Sequence, residues 1–419
     1  MDTSARGELR AINGELVIED VPLELVAERF GTPCYVYSRA ALTAAYAAFD
    51  RPFGDTPHLI CYAAKANSNL AILNLFARLG SGFDIVSGGE MQRVLAAGGD
   101  PRRIVFSGVG KSAQDIQQAL DAAILCFNVE SEVELLRISA IASAARKTAA
   151  VSLRVNPDVD AKTHAYISTG RRQDKFGVPF EQALPLYLKA RALPGIRVAG
   201  IDCHIGSQIV ELAPFLDALQ KIIGLVDLLG SHGIELEHLD LGGGLGIRYR
   251  NEEPPAPSEY VTALVGALRG RREHIFLEPG RALVGNAGIL LTRVEYLKHG
   301  SERNFAVVDA GMNDLLRPAL YDAWHDIEPV RHRSSAPLRY EVVGPVCESA
   351  DFLGHDRTLA IEAGDLLAVL SAGAYAMSMS SNYNSRPRPP EVMVDGTQIH
   401  LIRRREGMDD LMGLETPLP

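Results

Sequence analysis

Eight short apolar runs recur between residues 58 and 278, near 58–64, 82–86, 103–107, 124–128, 150–156, 197–205, 236–241 and 274–278. Several of the intervening segments instead space their apolar residues three and four apart, as in Leu70–Arg78, Glu90–Ala97 and Asp115–Asp121. The first pattern suits strands buried on both faces, and the second suits helices that bury one face. Eight strands alternating with helices predict a (β/α)8 barrel, set over residues 36–283. A doubly wound parallel sheet is the competing arrangement.

Barrels of this kind carry their chemistry at the carboxyl ends of the strands. Here those ends hold Lys65, Asp84, Ser107, Asn128, Arg154, His204, Gly242 to Gly244 and Glu278. An amine, carboxylates, a guanidinium, an imidazole and a glycine run converging on one rim point to a catalytic pocket. Lys65 is the most telling of them, because it ends the apolar run that begins at His58. A lysine on a core strand is costly unless it is paired or neutralised. Desolvation lowers an amine's pKa, and a neutral amine can form a Schiff base with a carbonyl cofactor or substrate. The plainer alternative is a lysine that snorkels out at a strand end.

Other segments add to the rim. Leu239-Asp-Leu-Gly-Gly-Gly-Leu-Gly246 is not a dinucleotide fingerprint, since Ile247 stands where the last glycine should be. Its glycines suit a phosphate cradle at a late barrel strand, or a plain tight turn. In Glu278-Pro-Gly-Arg281, the carboxylate can accept from a protonated heterocycle nitrogen, and the arginine can grip a phosphate or carboxylate. His204, in Cys203-His-Ile-Gly-Ser-Gln208, has no second histidine at metal-ligand spacing, so no metal is expected. A flat imidazole could stack on an aromatic cofactor, or be a satisfied core histidine.

Beyond residue 284 helical spacing thins, except over Met312 to His325. β-type runs appear at Leu338–Val343, Leu366–Val369, Glu391–Val394 and Ile399–Ile402. Residues 284–419 are therefore expected to form a mainly β domain. The opening segment 1–35 is expected to join it through Glu15–Ile18, with Cys34–Tyr37 at the junction. Five widely spaced cysteines with no C-x-x-C pair suit reduced thiols. Four of them sit in apolar company and read as core; Cys347, beside Glu348 in a turn-like setting, is the one placed like a reactive thiol, with a structural role as the alternative. A formal charge of −10 argues against a nucleic-acid partner and against anionic membrane surfaces, while leaving room for a small phosphate ligand. With no signal-peptide pattern and no bilayer-length apolar run, a cytoplasmic location is expected.

Together these segments resemble the fold-type III pyridoxal-phosphate decarboxylases. The likeness runs through Ala64-Lys-Ala-Asn67, Gly82-Phe-Asp-Ile-Val-Ser-Gly-Gly-Glu90, Asp174-Lys-Phe-Gly177, His204-Ile-Gly-Ser-Gln208, Leu241-Gly-Gly-Gly-Leu-Gly246 and Glu278-Pro-Gly-Arg281. It continues in Gly311-Met-Asn-Asp-Leu-Leu-Arg-Pro-Ala-Leu-Tyr321, Gly344-Pro-Val-Cys-Glu-Ser349 and Ser381-Asn-Tyr-Asn-Ser-Arg-Pro387. Ala165 and Arg248 stand where the family pattern has proline. The resemblance implies pyridoxal 5'-phosphate as cofactor, with Lys65 holding it covalently, His204 stacked on its ring and Glu278 at the pyridine nitrogen. It implies that Ser207, Gly243, Gly244, Gly280 and Arg281 hold the phosphate with Tyr375 nearby, and that Asp84 and Arg154 support the pocket. It also implies a homodimer with shared sites, Cys347 and Glu348 reaching across from the partner chain. Cys347 would deliver the final proton, with Lys65 as the alternative donor.

The distal end selects among members. Arg281, Arg317 and Tyr321 would meet a carboxylate and Glu348 an ammonium, with Tyr375 also binding substrate, which suits an amino acid at both ends. The implied reaction is decarboxylation of meso-2,6-diaminopimelate to L-lysine and CO2, the last step of lysine biosynthesis. Decarboxylases of ornithine, arginine or carboxynorspermidine are the alternative. The related alanine racemases fit less well, since they set an arginine at the pyridine nitrogen. A non-catalytic homologue would be expected to lose Lys65 or Cys347.

Overall fold

A computed structural model describes residues 8–159 and 175–419. Within these the chain forms two compact units, one from residues 45–159, 175–246 and 253–282, the other from 8–44, 247–252 and 283–419. His164 to Gly170, with Ala165, and Asp174 lie outside the described residues.

The first unit is the expected barrel. Its strands are β1 (His58–Ala63), β2 (Gly82–Ile85), β3 (Ile104–Phe106), β4 (Cys126–Val129), β5 (Ala149–Asn156), β6 (Ile196–Asp202), β7 (His238–Asp240) and β8 (His274–Leu277). Neighbours pair in parallel around the ring, and β8 closes it by pairing with β1, Ile275 opposite His58. Leu59, Cys61, Val105, Cys126, Ala199 and Phe276 form one buried cluster inside. A closed barrel has no exposed edge, so every strand can be apolar and short.

The helices start where their caps stand. Asn69, Ser87 and Ser131 each accept a backbone N–H from the first turn, and Ser112 with Asp115 makes a reciprocal capping box. Helices Leu70–Arg78, Gly88–Ala96 and Ala113–Ala122 match the apolar spacing read from the sequence.

The second unit is mainly β. Strand Gly288–Lys298 pairs antiparallel with Cys34–Ser38, Phe305–Val308 and Leu366–Val369, and Cys34–Ser38 pairs in parallel with Glu391–Asp395. Its core gathers Leu16, Ile18, Val26, Val36, Ile289, Leu291, Ala368 and Val392. One expectation fails here. The helical spacing over Met312 to His325 yields only the short helix Arg317–Tyr321. Pro318 lacks an N–H and is tolerated only in a first turn, and Asp322 stops the helix in left-handed backbone with φ 52°. Among the described residues no helix is long and apolar enough to cross a membrane.

Candidate active site

Parallel register sets polar side chains side by side at the carboxyl end of the barrel. Arg154 of β5 lies opposite Asp202 of β6, and Asp202 lies opposite Asp240 of β7. Asp84 of β2 is in register with Ala63 of β1, one residue short of the turn Ala64–Ala66 that carries Lys65. The Lys65 Nζ donates to Asp84 Oδ2 at 2.6 Å. The lysine side chain is 35% exposed, whereas Asp84 is fully buried. The amine is thus anchored from beneath and reachable from above.

Glu278 follows β8 and is buried. Its Oε1 accepts from Asn128 Nδ2 at 3.2 Å and from Ser107 Oγ at 3.4 Å. Asn128 Nδ2 also approaches Asp240 Oδ2 at 3.3 Å, and Asp202, Asp240 and Glu278 each offer a carboxylate oxygen within 4.8 Å of the others. Burial, followed by the charges of Asp240, Asp84 and Asp202, pushes Glu278 well above the usual carboxylate range. Asp240 is likewise raised to about 6, mainly by burial. Such a crowd of acids favours a cation beside Glu278, as a protonated pyridine nitrogen would be.

Arg154 is held by Glu130, Nη1 to Oε1 at 3.0 Å, and faces the Phe176 ring at 4.9 Å. Glu130 is fixed in turn by the backbone N–H groups of Gly108 and Gly177. His204 Nδ1 accepts from the Gly243 N–H at 3.1 Å, so that nitrogen carries no proton. Burial, with the positive charges of Arg154 and Lys65, drives its pKa well below the ordinary imidazole value. His204 is therefore a neutral ring, suited to lie against a flat heteroaromatic group.

The glycine run brings loops into contact. A Cβ on Gly243 would stand 2.1 Å from the Glu278 carbonyl oxygen, and one on Gly244 (φ 109°) 2.4 Å from that of Gly206. A Cβ on Gly280 would press against Ala63 and Ala66 at 3.1 Å. Beside this cradle Arg281 Nη2 donates to Ser207 Oγ at 3.0 Å. Backbone N–H groups, a hydroxyl and a guanidinium are the donors that a phosphate would take. Asp84 Oδ1 and Asn128 Oδ1 are buried side-chain oxygens without a hydrogen-bond partner. An amine for an aldehyde, an acid for a ring nitrogen, a flat neutral ring and an anion cradle fit pyridoxal phosphate.

The β unit holds the remaining residues. Cys347 and Glu348 are exposed; the Cys347 N–H donates to Asn384 Oδ1 at 2.9 Å, and Tyr383 Oη donates to Glu348. The other four cysteines are buried, as expected. Arg317 is buried and Tyr321 partly so, one helical turn apart. Tyr375 sits in left-handed backbone with φ 54°. The sequence reading missed Asp351, whose two oxygens accept the N–H groups of Met312 and Val346 at 2.6 Å each. It ties the loop bearing Cys347 to the segment leading into Arg317. Asp202, Asp240, Glu130, Tyr249 and His325 were also given no role; the Asp in Ile201-Asp-Cys and Leu239-Asp-Leu was the available signal for the first two.

The family model for the pyridoxal binding domain of pyridoxal-dependent decarboxylases matches residues 39–285. A diaminopimelate decarboxylase of Vibrio cholerae is 57% identical over 97% of this chain and 98% of its own length. The crystal structure of diaminopimelate decarboxylase from Helicobacter pylori complexed with L-lysine is 45% identical, with a TM-score of 0.90 over 94% of this chain and 98% of that one. That of the M. jannaschii enzyme with L-lysine is 37% identical, with a TM-score of 0.93 over 99% of both chains. Likeness of this extent, on a barrel whose rim fits the cofactor, makes the chain a member of the diaminopimelate decarboxylases within the pyridoxal-dependent decarboxylase family.

Proposed function

We propose that the protein is a pyridoxal-phosphate-dependent carboxy-lyase that converts meso-2,6-diaminopimelate to L-lysine and CO2, completing lysine biosynthesis. The observation that carries this reading is the 57% identity to diaminopimelate decarboxylase over nearly the whole chain. When bound, pyridoxal phosphate supplies an aldehyde that captures the substrate's amine and a ring that takes up the electrons released as CO2 leaves. The chain's own groups do the rest. Lys65 Nζ binds the cofactor, and Asp84 Oδ2, 2.6 Å away, orients it. Glu278 keeps a proton at the ring nitrogen, with Asn128 and Ser107 fixing its carboxyl. His204 lies on the ring, Arg154 supports the pocket from Glu130, and Ser207, Arg281 and the N–H groups around Gly243, Gly244 and Gly280 bind phosphate, with Tyr375 completing that end.

At the substrate end, Arg317 with Tyr321, Arg281 and Tyr375 binds the distal carboxylate, and Glu348 the distal ammonium. Cys347 Sγ delivers a proton to the carbon that loses CO2, with Lys65 Nζ as the alternative donor. We assign Cys347 and Glu348 to the partner's site in a homodimer. That assignment is supported by their exposure on the single chain and by their fixed hydrogen bonds. The barrel is taken as residues 36–283 and the mainly β domain as 1–35 with 284–419, and the enzyme is assigned to the cytoplasm. The test is product analysis. Protein reconstituted with pyridoxal phosphate should release CO2 and L-lysine from meso-diaminopimelate. Release from ornithine or arginine with none from meso-diaminopimelate would transfer the chain to another substrate class.

A further inference from the structure

Arg317 does not project loosely into its surroundings. Its Nη1 donates to His325 Nε2 at 2.9 Å, and its guanidinium carbon lies 4.5 Å from the centre of the Tyr249 ring. His325 is fully buried, and its Nδ1 lies 2.8 Å from the Leu370 carbonyl oxygen. A guanidinium can only donate and a carbonyl can only accept. These partners therefore assign the imidazole proton to Nδ1, leaving Nε2 as a neutral acceptor. The Tyr249 ring also meets the His325 ring edge-on, 5.3 Å between centres at 77°. A second layer holds His325 itself. Arg357 Nη2 donates to the His325 backbone oxygen at 2.8 Å, and the Arg357 guanidinium covers the Trp324 ring at 3.2 Å.

We propose that His325 and Tyr249 are positioning residues for substrate recognition, fixing the Arg317 guanidinium in the orientation that receives the distal carboxylate. The inference rests on the reading above that Arg317 binds that group. Its physical basis is the kind of contact made. A carboxylate partner would orient a guanidinium but cancel its charge. An imidazole lone pair and an aromatic face each orient it without adding a negative charge of their own. An arginine has several rotatable bonds, and freezing them on binding weakens affinity. A guanidinium already locked by His325 and laid on Tyr249 avoids that loss. Removing the lock should therefore weaken binding of the distal carboxylate and leave the bond-breaking step alone.

The test uses the holoenzyme and compares His325→Leu, His325→Gln, Tyr249→Leu, Arg317→Ala and the double variant His325→Leu with Arg317→Ala. KM and kcat for meso-diaminopimelate are read beside inhibition by L-lysine and by cadaverine. L-lysine keeps the distal carboxylate and cadaverine lacks it. His325→Leu should raise KM about tenfold with kcat within about twofold, on the scale of one side chain's ordering. Gln offers an oxygen near the lost Nε2 and should recover part of that. Inhibition by L-lysine should weaken in step with KM, inhibition by cadaverine should not, and the cofactor's visible band should stay. The double variant should lose no more than Arg317→Ala alone. A folded His325→Leu with unchanged KM, or losses that add in the double variant, would overturn the inference while leaving Arg317 in place. An unchanged KM in Arg317→Ala removes the substrate reading and the inference with it. Should His325→Leu fail to fold, His325→Gln and Tyr249→Leu carry the same comparisons.

Discussion

Gly243→Ala is the sharpest probe of how the barrel rim is assembled. The added methyl would lie 2.1 Å from the Glu278 carbonyl oxygen, against an ordinary contact of 3.4 Å or more. The opposing atom is backbone, so no side chain can swing aside. One loop or the other must retreat by about 1.3 Å. Either movement disturbs a functional group: the N–H of Gly243 holds His204 Nδ1, and the displaced backbone carries the Glu278 carboxyl. Overpacking of this kind costs roughly 1–3 kcal/mol. In the apoprotein the loops can relieve it by parting, but cofactor binding must close them again. The cost should then appear as a loss of roughly 5- to 150-fold in pyridoxal-phosphate affinity, with a further fall in kcat from the misplaced acid. Titrating apoprotein with pyridoxal phosphate and following the visible band measures the first quantity. Gly266→Ala is the control, because a Cβ there meets nothing within 4 Å and the site is inside helix Pro257–Ala267. It should be neutral or slightly stabilising. If Gly243→Ala binds cofactor and turns over like the Gly266 control, the close approach of these loops does not govern the site.

Three further outcomes follow from the geometry. Lys65→Ala should lose the visible band of covalently held cofactor and all turnover while keeping its far-ultraviolet dichroism; full activity would sink the cofactor assignment. Mixing inactive Lys65→Ala and Cys347→Ala chains should restore some activity, since a hybrid dimer contains one intact site; exchanged dimers that stay dead would refute the assignment of Cys347 to the partner's site. Asp314, buried and raised from 3.8 to about 7 chiefly by that burial, holds its proton more firmly folded than unfolded. Its contribution is present below pH 4 and is lost as pH rises towards 7, so Asp314→Asn should gain on the native protein over that window, by at most about 4 kcal/mol. Thermal melts of both proteins at pH 4.5 and 7.5 measure the change; a constant difference between them would count against the assignment.

The barrel was legible because each of its eight strands is a short apolar run, and fully buried strands leave that mark whatever their position in the ring. The rim was legible for a related reason. A charged or polar residue ending such a run, as Lys65, Arg154 or His204 does, has few structural excuses. What lay beneath the rim was harder to read. A strand buried on both faces does not announce which alternate side chains point inward, so Asp202 and Asp240 drew no role. Only register sets Arg154, Asp202 and Asp240 in one row.

The helical spacing over Met312 to His325 was misread for a different reason. Its apolar residues do recur at helical intervals, but Pro318 and Asp322 confine the helix to Arg317–Tyr321, and the remaining polar residues serve as anchors. Asn313 Nδ2 bonds Asp314, the Met312 N–H meets Asp351, and His325 holds Arg317. Periodicity measures burial, and in this segment burial serves orientation rather than a helix. The same principle holds within each unit: Asp84 under Lys65 and Glu130 behind Arg154 in the barrel, and His325 behind Arg317 in the β unit, each fix a cationic head from a buried position. The first two are carboxylates and can balance the charge they hold, whereas His325, an acceptor at Nε2, brings no negative charge of its own to Arg317. That difference suits the proposed division of work, in which Lys65 and Arg154 serve a cofactor that stays bound and Arg317 meets the charge of a substrate afresh at every turnover.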